Sequence, residues 1–314
     1  MFSSRDHLGG IVVVGSINTD LTVALRRLPK PGETITAKSL DYFTGGKGAN
    51  QAAAAARLSS VPTQLVGQVG DDAFAPRALE SLRGCGVDTT LVSCLRGEST
   101  GTALVLLQSG GENSIVVAAG ANGAEWKITD AATRAVQTAR VVLLQREIPD
   151  EVNVIFAKIA RAAGVPVVLD CGGEDSPLRS DLIANVSVLS PNETELARLT
   201  GMPTDTERGV RDAALSLVHA GADKVLVKLG AKGALLIDIY GNETRQKACR
   251  VARVLDTTGA GDTFTAAFAV ATVEGAKDED ALRFATHAAA LCIQKKGAIP
   301  SIPTRREVEA NMAP

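Results

Sequence analysis

The heptapeptide Asp256-Thr-Thr-Gly-Ala-Gly-Asp262 joins a strand-like apolar run, Val251–Leu255, to a helix-like one, Thr263–Thr272. Gly259 and Gly261 let the backbone turn so that consecutive N–H groups point the same way. That makes an anion nest at a helix N-terminus, where the dipole also favours negative charge. Asp262 stands on the rim of the nest. A carboxylate cannot itself bind phosphate, but beside a phosphate site it is suited to accept the proton of a hydroxyl that attacks phosphorus. The plainer alternative is a helix-capping aspartate.

Other stretches offer groups of related chemistry. Gly15-Ser-Ile-Asn-Thr-Asp20 follows the first apolar run and lacks the second and third glycines of a dinucleotide fingerprint, which disfavours a Rossmann dehydrogenase. Asn18 and Asp20 instead supply an amide and a carboxylate at a strand end, suited to a polyhydroxy ligand or to an Asx-type turn. Gly45-Gly-Lys-Gly-Ala-Asn50 lacks P-loop spacing. Its glycines admit a ligand closely, and Lys47 and Asn50 supply donors to hydroxyls. In Pro191-Asn-Glu-Thr-Glu195 the acidic residues complement a helix dipole; near nucleotide phosphates, Asn192 and Glu195 would also suit hydrated Mg²⁺. Val227-Lys-Leu-Gly-Ala-Lys-Gly233 reads as a hairpin loop in which Gly230 and Gly233 would let a nucleotide lie close to the backbone.

These residues need a scaffold, and the apolar pattern predicts one. Short apolar runs at Ile11–Val14, Thr63–Gly67, Val141–Leu144, Val165–Asp170, Val186–Ser190, Val225–Lys228 and Ala234–Ile237 suit buried strands. Helical patterns lie between them at Ala49–Leu58, Ala73–Gly84, Thr129–Thr138, Asp150–Ala163, Glu193–Thr200 and Val210–Ala220. That alternation implies βαβ units with helices on both faces of a parallel sheet. Leu21–Phe43 and Ser99–Ala118 break the rhythm. The second reads as a hairpin turning at Ser109–Asn113, and the two together would form a small separate sheet over the site.

The 314 residues suffice for one large or two medium domains, and a net charge of −2 leaves no electrostatic footprint for nucleic acid. The five cysteines are scattered and unpaired in sequence, against a disulfide framework or a zinc site. No apolar run reaches membrane-spanning length, and the first ten residues lack a signal-type core. A cytoplasmic location is the expectation, with an organelle left open. His7, His219 and His287 show no metal or triad pattern, and Trp126 reads as a packing residue.

In order along nearly the whole chain, these stretches resemble the ribokinase (PfkB-type) family of carbohydrate kinases. Gly45–Asn50 is similar to its N-terminal signature, Asp256–Asp262 to its C-terminal signature, and Asn192–Glu195 to its N-x-x-E motif. The resemblance implies a ribokinase-like three-layer α/β/α sandwich with a central, mainly parallel sheet. It implies one domain over residues 1–314, with a small β-sheet lid from about 18–44 and 96–118, and a homodimer formed through the lid. The implied activity is ATP-dependent phosphorylation of D-ribose at O5. By matched position, Asp262 is the catalytic base, and Asn18, Asp20, Gly46, Lys47, Asn50 and Glu147 bind the sugar with it. The amides of Gly259, Ala260 and Gly261 form the anion hole. Asn192, Lys228, Gly230, Gly233, Gly261, Thr286 and His287 lie along ATP. Glu195 organises Mg²⁺ through water, and Asp256, Thr258, Cys292, Lys295, Gly297 and Ser301 surround K⁺. Family members often carry Thr where Lys228 stands, and an ammonium would substitute as a point charge. Deoxyribose, another furanose or a nucleoside are alternative acceptors, and a non-catalytic sugar-binding protein is the alternative outside the enzyme class.

Overall fold

The protein, seen as a computed structural model, is described over residues 9–109 and 112–313; His7 and the Gly110-Gly111 tip of the expected hairpin lie outside them. The short apolar runs form a central sheet. Its order is Glu243–Gln246, Ala234–Asp238, Lys224–Lys228, Val188–Ser190, Val167–Gly173, Val141–Arg146, Ile11–Val14, Thr63–Gly70 and Val87–Asp88. Val92–Leu95 adds a further parallel pairing to Thr63–Gly70. From Lys224–Lys228 to Val87–Asp88 all neighbours run parallel, and the other two strands pair antiparallel.

Successive strand side chains point to opposite faces, so a strand covered on both sides must be apolar throughout. Ile11 and Val13 pack into one core and Val12 and Val14 into the other. The first core is closed by the helices Lys47–Leu58, Ala260–Val273 and Asp278–Cys292, and the second by Asp130–Thr138, Asp150–Ala163 and Glu207–His219. This is the expected three-layer sandwich. Among the described residues, no helix is long and apolar enough to cross a membrane.

The two interruptions in the rhythm form one four-stranded sheet, ordered Ser39–Gly45, Asn18–Leu25, Gly101–Gln108, Asn113–Ala118. Its outer pairs are antiparallel, and the central pair is parallel. One expected element is absent: Val251–Leu255 is not a strand. The sheet ends at Glu243–Gln246, so this run finds no ladder partner; Val254 and Leu255 stay exposed, and Val251 and Val254 wall a groove. A short apolar run reads alike for either role.

The parallel strands deliver Asn18, Glu147, Asp170, Asn192 and Lys228 at or just beyond their C-terminal ends. Open α/β sheets bind ligands on that side.

Candidate active site

The Ala260–Val273 helix is apolar almost all round and buried, as expected for a helix packed between sheet and neighbours. Gly259 is its N-cap, at φ 75°. A Cβ there would meet the Cα and Cβ of Ala298 at 3.0 Å, so conformation and space both require glycine. The nest is narrower than the three amides expected of Gly259, Ala260 and Gly261. The Ala260 N–H already donates to the Thr257 carbonyl at 3.2 Å, whereas that of Gly261 lies in the first turn, where no intrahelical acceptor exists.

Asp262 follows in the same turn, only 5% exposed. Its Oδ2 accepts from Asn50 Nδ2 at 2.9 Å, and its Oδ1 accepts from Gln51 Nε2 at 3.2 Å, with Lys47 Nζ 3.7 Å away. Gln51 is held in turn by Gln145 Nε2, which donates to its Oε1 at 2.8 Å. This buried relay fixes the carboxylate's orientation. Gln51 and Gln145 were not expected here; Gln51 directly follows the first glycine motif, which is the one signal that could have found it.

Gly46, at φ 86°, ends the lid strand Ser39–Gly45 and caps the Lys47–Leu58 helix. That turn brings Lys47 and Asn50 beneath the lid strand carrying Asn18 and Asp20. Asn18 Oδ1 accepts from Asn122 Nδ2 at 2.7 Å, and Asn122 also bonds both backbone groups of Ile17. Glu147 Oε2 accepts from Ser16 Oγ at 2.7 Å and from the Lys47 N–H at 2.9 Å. Burial pushes the Asp20 carboxyl up to about 7, with further contributions from the charges of Glu147 and Asp262. Asn18, Asp20, Gly46, Asn50, Glu147 and Asp262 are thus brought together, and a cavity of about 560 Å³ touching Asn18, Asn122 and Glu147 opens beside them. Asn122 has no motif of its own, and Ser16 lies within Gly15–Asp20 without having been singled out.

Asp262 itself lines a groove of about 680 Å³ that also includes Asn192, Lys228, Gly230, Gly233, Gly261 and Thr286. Its apolar wall comes from Val251, Val254, Phe264, Ala289 and Ile293. Val227–Gly233 is a hairpin loop as read, and it also borders the groove. His287 is a correction. Its Nδ1 lies 2.7 Å from Asn311 Oδ1, turned toward the C-terminal helix, and it does not line the groove; Thr286 does. One residue apart on a helix is a turn of about 100°.

Lys47 has a second partner that the sequence did not announce. Its ammonium stands 3.1 Å from Asp170 Oδ1 as well as 3.7 Å from Asp262 Oδ1, and the residue borders the groove. Lys228 Nζ stands 2.5 Å from the other oxygen of Asp170. Burial works against the charges on Asp170 and Lys47. The two ammonium groups nevertheless hold the Asp170 carboxyl well below the usual carboxylate range, and Asp170, Asp262, Glu147 and Glu195 hold Lys47 above its ordinary value. Asp170 was missed because it ends the apolar run Val165–Asp170 with no motif around it. An aspartate in so buried a run had to have cationic partners.

Asn192 and Glu195 cap each other. Asn192 Oδ1 accepts from the Glu195 N–H and Glu195 Oε2 from the Asn192 N–H, both at 2.8 Å. That leaves Glu195 Oε1 as the carboxylate oxygen outside the capping box, and both residues line the groove.

Behind the nest, Asp256 Oδ1 accepts from the N–H and hydroxyl of Thr258 at 2.9 and 2.6 Å, and Oδ2 accepts from the Gly297 N–H at 2.8 Å. These bonds outweigh burial and hold the carboxyl below its ordinary value. Ser301 Oγ donates to the Ala298 carbonyl at 2.7 Å and lies 2.9 Å from Cys292 Sγ. The Lys295 ammonium turns outward to Glu307, so only its backbone can serve this loop. Among the described residues, no group of three or more His, Cys, Asp or Glu side chains is placed to hold a metal ion.

Residues 9–305 match the model of the pfkB family of carbohydrate kinases. The chain is 51% identical over 306 residues to a ribokinase of Arabidopsis thaliana, covering 96% of this chain and 80% of that protein. It is 36% identical over 295 residues to a deoxyribokinase of Salmonella typhi, covering 94% of this chain and 95% of that protein. The structure of Arabidopsis thaliana ribokinase complexed with ribose and ATP superposes with a TM-score of 0.94 at 50% identity, over 97% of this chain and 98% of that one. The chain belongs to the pfkB family of carbohydrate kinases.

Proposed function

We propose that this pfkB-family chain is a ribokinase: it transfers the γ-phosphoryl group of ATP to O5 of D-ribose. The observation that carries the reading is the place of Asp262. One buried carboxylate, fixed by Asn50 and Gln51, stands at a helix N-terminus on the wall of a nucleotide-sized groove. The family's ribose- and ATP-bound relative supports the ligand assignment.

Ribose lies against Asn18, Asp20, Gly46, Asn50 and Glu147, with O5 toward Asp262. Lys47 serves from the groove side, next to Asp262. ATP lies along the groove past Asn192, Gly230, Gly233 and Thr286, with its terminal phosphate at Gly261 and Lys228. As the O5–P bond forms and the bond from phosphorus to the leaving oxygen of ADP breaks, the O5 proton passes to Asp262. The nest and Lys228 meet the charge gathered on the transferred group. Closure of the lid over the sugar excludes water, which limits idle hydrolysis of ATP.

Mg²⁺ fits beside Glu195 and Asn192, reached through water, since only one Glu195 oxygen is outside the capping box; when bound it neutralises phosphate charge. K⁺ fits the loop of Asp256, Thr258, Cys292, Lys295, Gly297 and Ser301. Its donors are main-chain carbonyls, a carboxylate and a hydroxyl, an all-oxygen set suited to a hard cation. That ion would hold the nest in shape. The edge strand of the small sheet exposes Ile115, Val116 and Val117 at 56, 61 and 62%, Val116 on the face opposite its two neighbours. A second copy of the chain covers it, giving a homodimer.

The test is ADP release with Mg²⁺ and K⁺ over ribose, deoxyribose, other furanoses and nucleosides, with the product identified by ³¹P NMR. Ribose with the highest kcat/KM and a 5-phosphate product is expected. A preference for deoxyribose or a nucleoside, or sugar binding without turnover, contradicts the reading.

A further inference from the structure

Asp170 has no solvent exposure, and four donors converge on its carboxylate. Oδ1 accepts from Lys47 Nζ and the Gly172 N–H, both at 3.1 Å, and Oδ2 accepts from Lys228 Nζ at 2.5 Å and Thr265 Oγ1 at 3.2 Å. Lys228 has one other polar neighbour among the described residues, Thr265 Oγ1 at 3.5 Å, so Asp170 sets where its ammonium stands. That place is over the first turn of the helix that carries Asp262: a Cβ built on Gly261 would lie 3.9 Å from Lys228 Nζ. Lys47 is let in from the other side by the bare backbone after Asp170, since a Cβ on Gly172 would fall 2.6 Å from its Nζ.

We propose that Asp170 is a positioning residue for phosphoryl transfer: one buried carboxylate fixes two ammonium groups, Lys228 toward the nucleotide phosphates and Lys47 beside Asp262. The proposal rests on the kinase reading above. The three groups together carry one net positive charge, beside the carboxylates of Asp262 and Glu195 on the same groove. The same carboxylate keeps the ammonium groups from repelling each other and spares them from being reoriented when ATP arrives.

The experiment is a double-mutant cycle on ATP affinity, measured by calorimetry without sugar and paired with steady-state kinetics, for Asp170→Asn, Lys228→Thr and the double variant. Asp170→Asn is expected to weaken ATP binding about tenfold, within the coupling range of residues in one charge network, and to lower kcat. KM for ribose is expected to change far less than the ATP affinity. Lys228→Thr weakens ATP alike, and the double variant binds ATP no worse than Lys228→Thr alone. Unchanged ATP affinity in Asp170→Asn with only a lower melting temperature would assign Asp170 to structure alone. Losses that multiply in the double variant would also overturn the proposal. If Asp170→Asn does not fold, the double variant, which removes one of the two unpaired ammonium groups, makes the same comparison against Lys228→Thr. Should the wild type bind ATP but phosphorylate no ribose, the acceptor assignment fails, and the ATP cycle still decides the role of Asp170.

Discussion

Asp20 shares its surroundings with Glu147 and Asp262, and burial with those charges moves its carboxyl from 3.8 to about 7. Between those values the folded protein keeps a proton on Asp20 that the unfolded chain releases. The stability linked to Asp20 is therefore fully present below about 3.8 and is lost as pH rises through about 7. Asparagine mimics the protonated acid. Asp20→Asn is expected to raise the melting temperature over wild type at pH 8 and to leave almost no difference at pH 4, by scanning calorimetry. An equal shift at both would contradict the account. Asp20 and Asp262 were legible because each ends a glycine-containing motif beside an apolar run. Asp170, Gln51, Gln145 and Asn122 were not, since their meaning comes from partners more than 50 residues away: Lys228, Asp262 and Ile17. The glutamines act only through Asp262, and no local spacing records that.

At the scale of elements, the catalytic helix depends on how its first turn is built. A side chain at Gly259 must adopt φ near 75° and press on Ala298 at 3.0 Å. Gly259→Ala is expected to cost about 1–3 kcal/mol in denaturant unfolding. Its kcat is expected to fall with little change in KM for ribose, because the proposed sugar contacts other than Asp262 lie on other elements. A variant with wild-type kcat would remove the nest from the mechanism. Asp256 braces the same turn to Gly297, so replacing K⁺ by Na⁺ or Tris is expected to lower the steady-state rate; an unchanged rate rejects the cation loop. The helix and its glycines were readable from the pattern. Val251–Leu255 was misread because an apolar run names its environment and not its hydrogen-bond partner. His287 was misassigned because sequence proximity to Thr286 does not say which side of the helix faces the groove.

Across the whole molecule, alternation of short apolar runs with helical patterns specified the sandwich, and the two places where it failed specified the lid. The pairing of those places could not be read. Asn18–Leu25 joins Gly101–Gln108 in parallel across most of a hundred residues, a contact that only the closed body makes possible. The exposed Ile115, Val116 and Val117 belong to this scale. Val116→Glu is expected to shift the chain from dimer to monomer in light scattering on a sizing column while the far-ultraviolet circular dichroism spectrum is kept. A wild type that runs as a monomer at every concentration would contradict pairing through the lid.

The proton acceptor is the centre of the account, and Asp262→Asn in a single-turnover phosphoryl-transfer assay tests it most directly. The side chain keeps its size and can still pair with Asn50 or Gln51. Ribose and ATP are therefore expected to bind within a few-fold of wild type, while the transfer rate falls by about a thousandfold. A transfer rate near that of the wild type would show that another group takes the proton of O5.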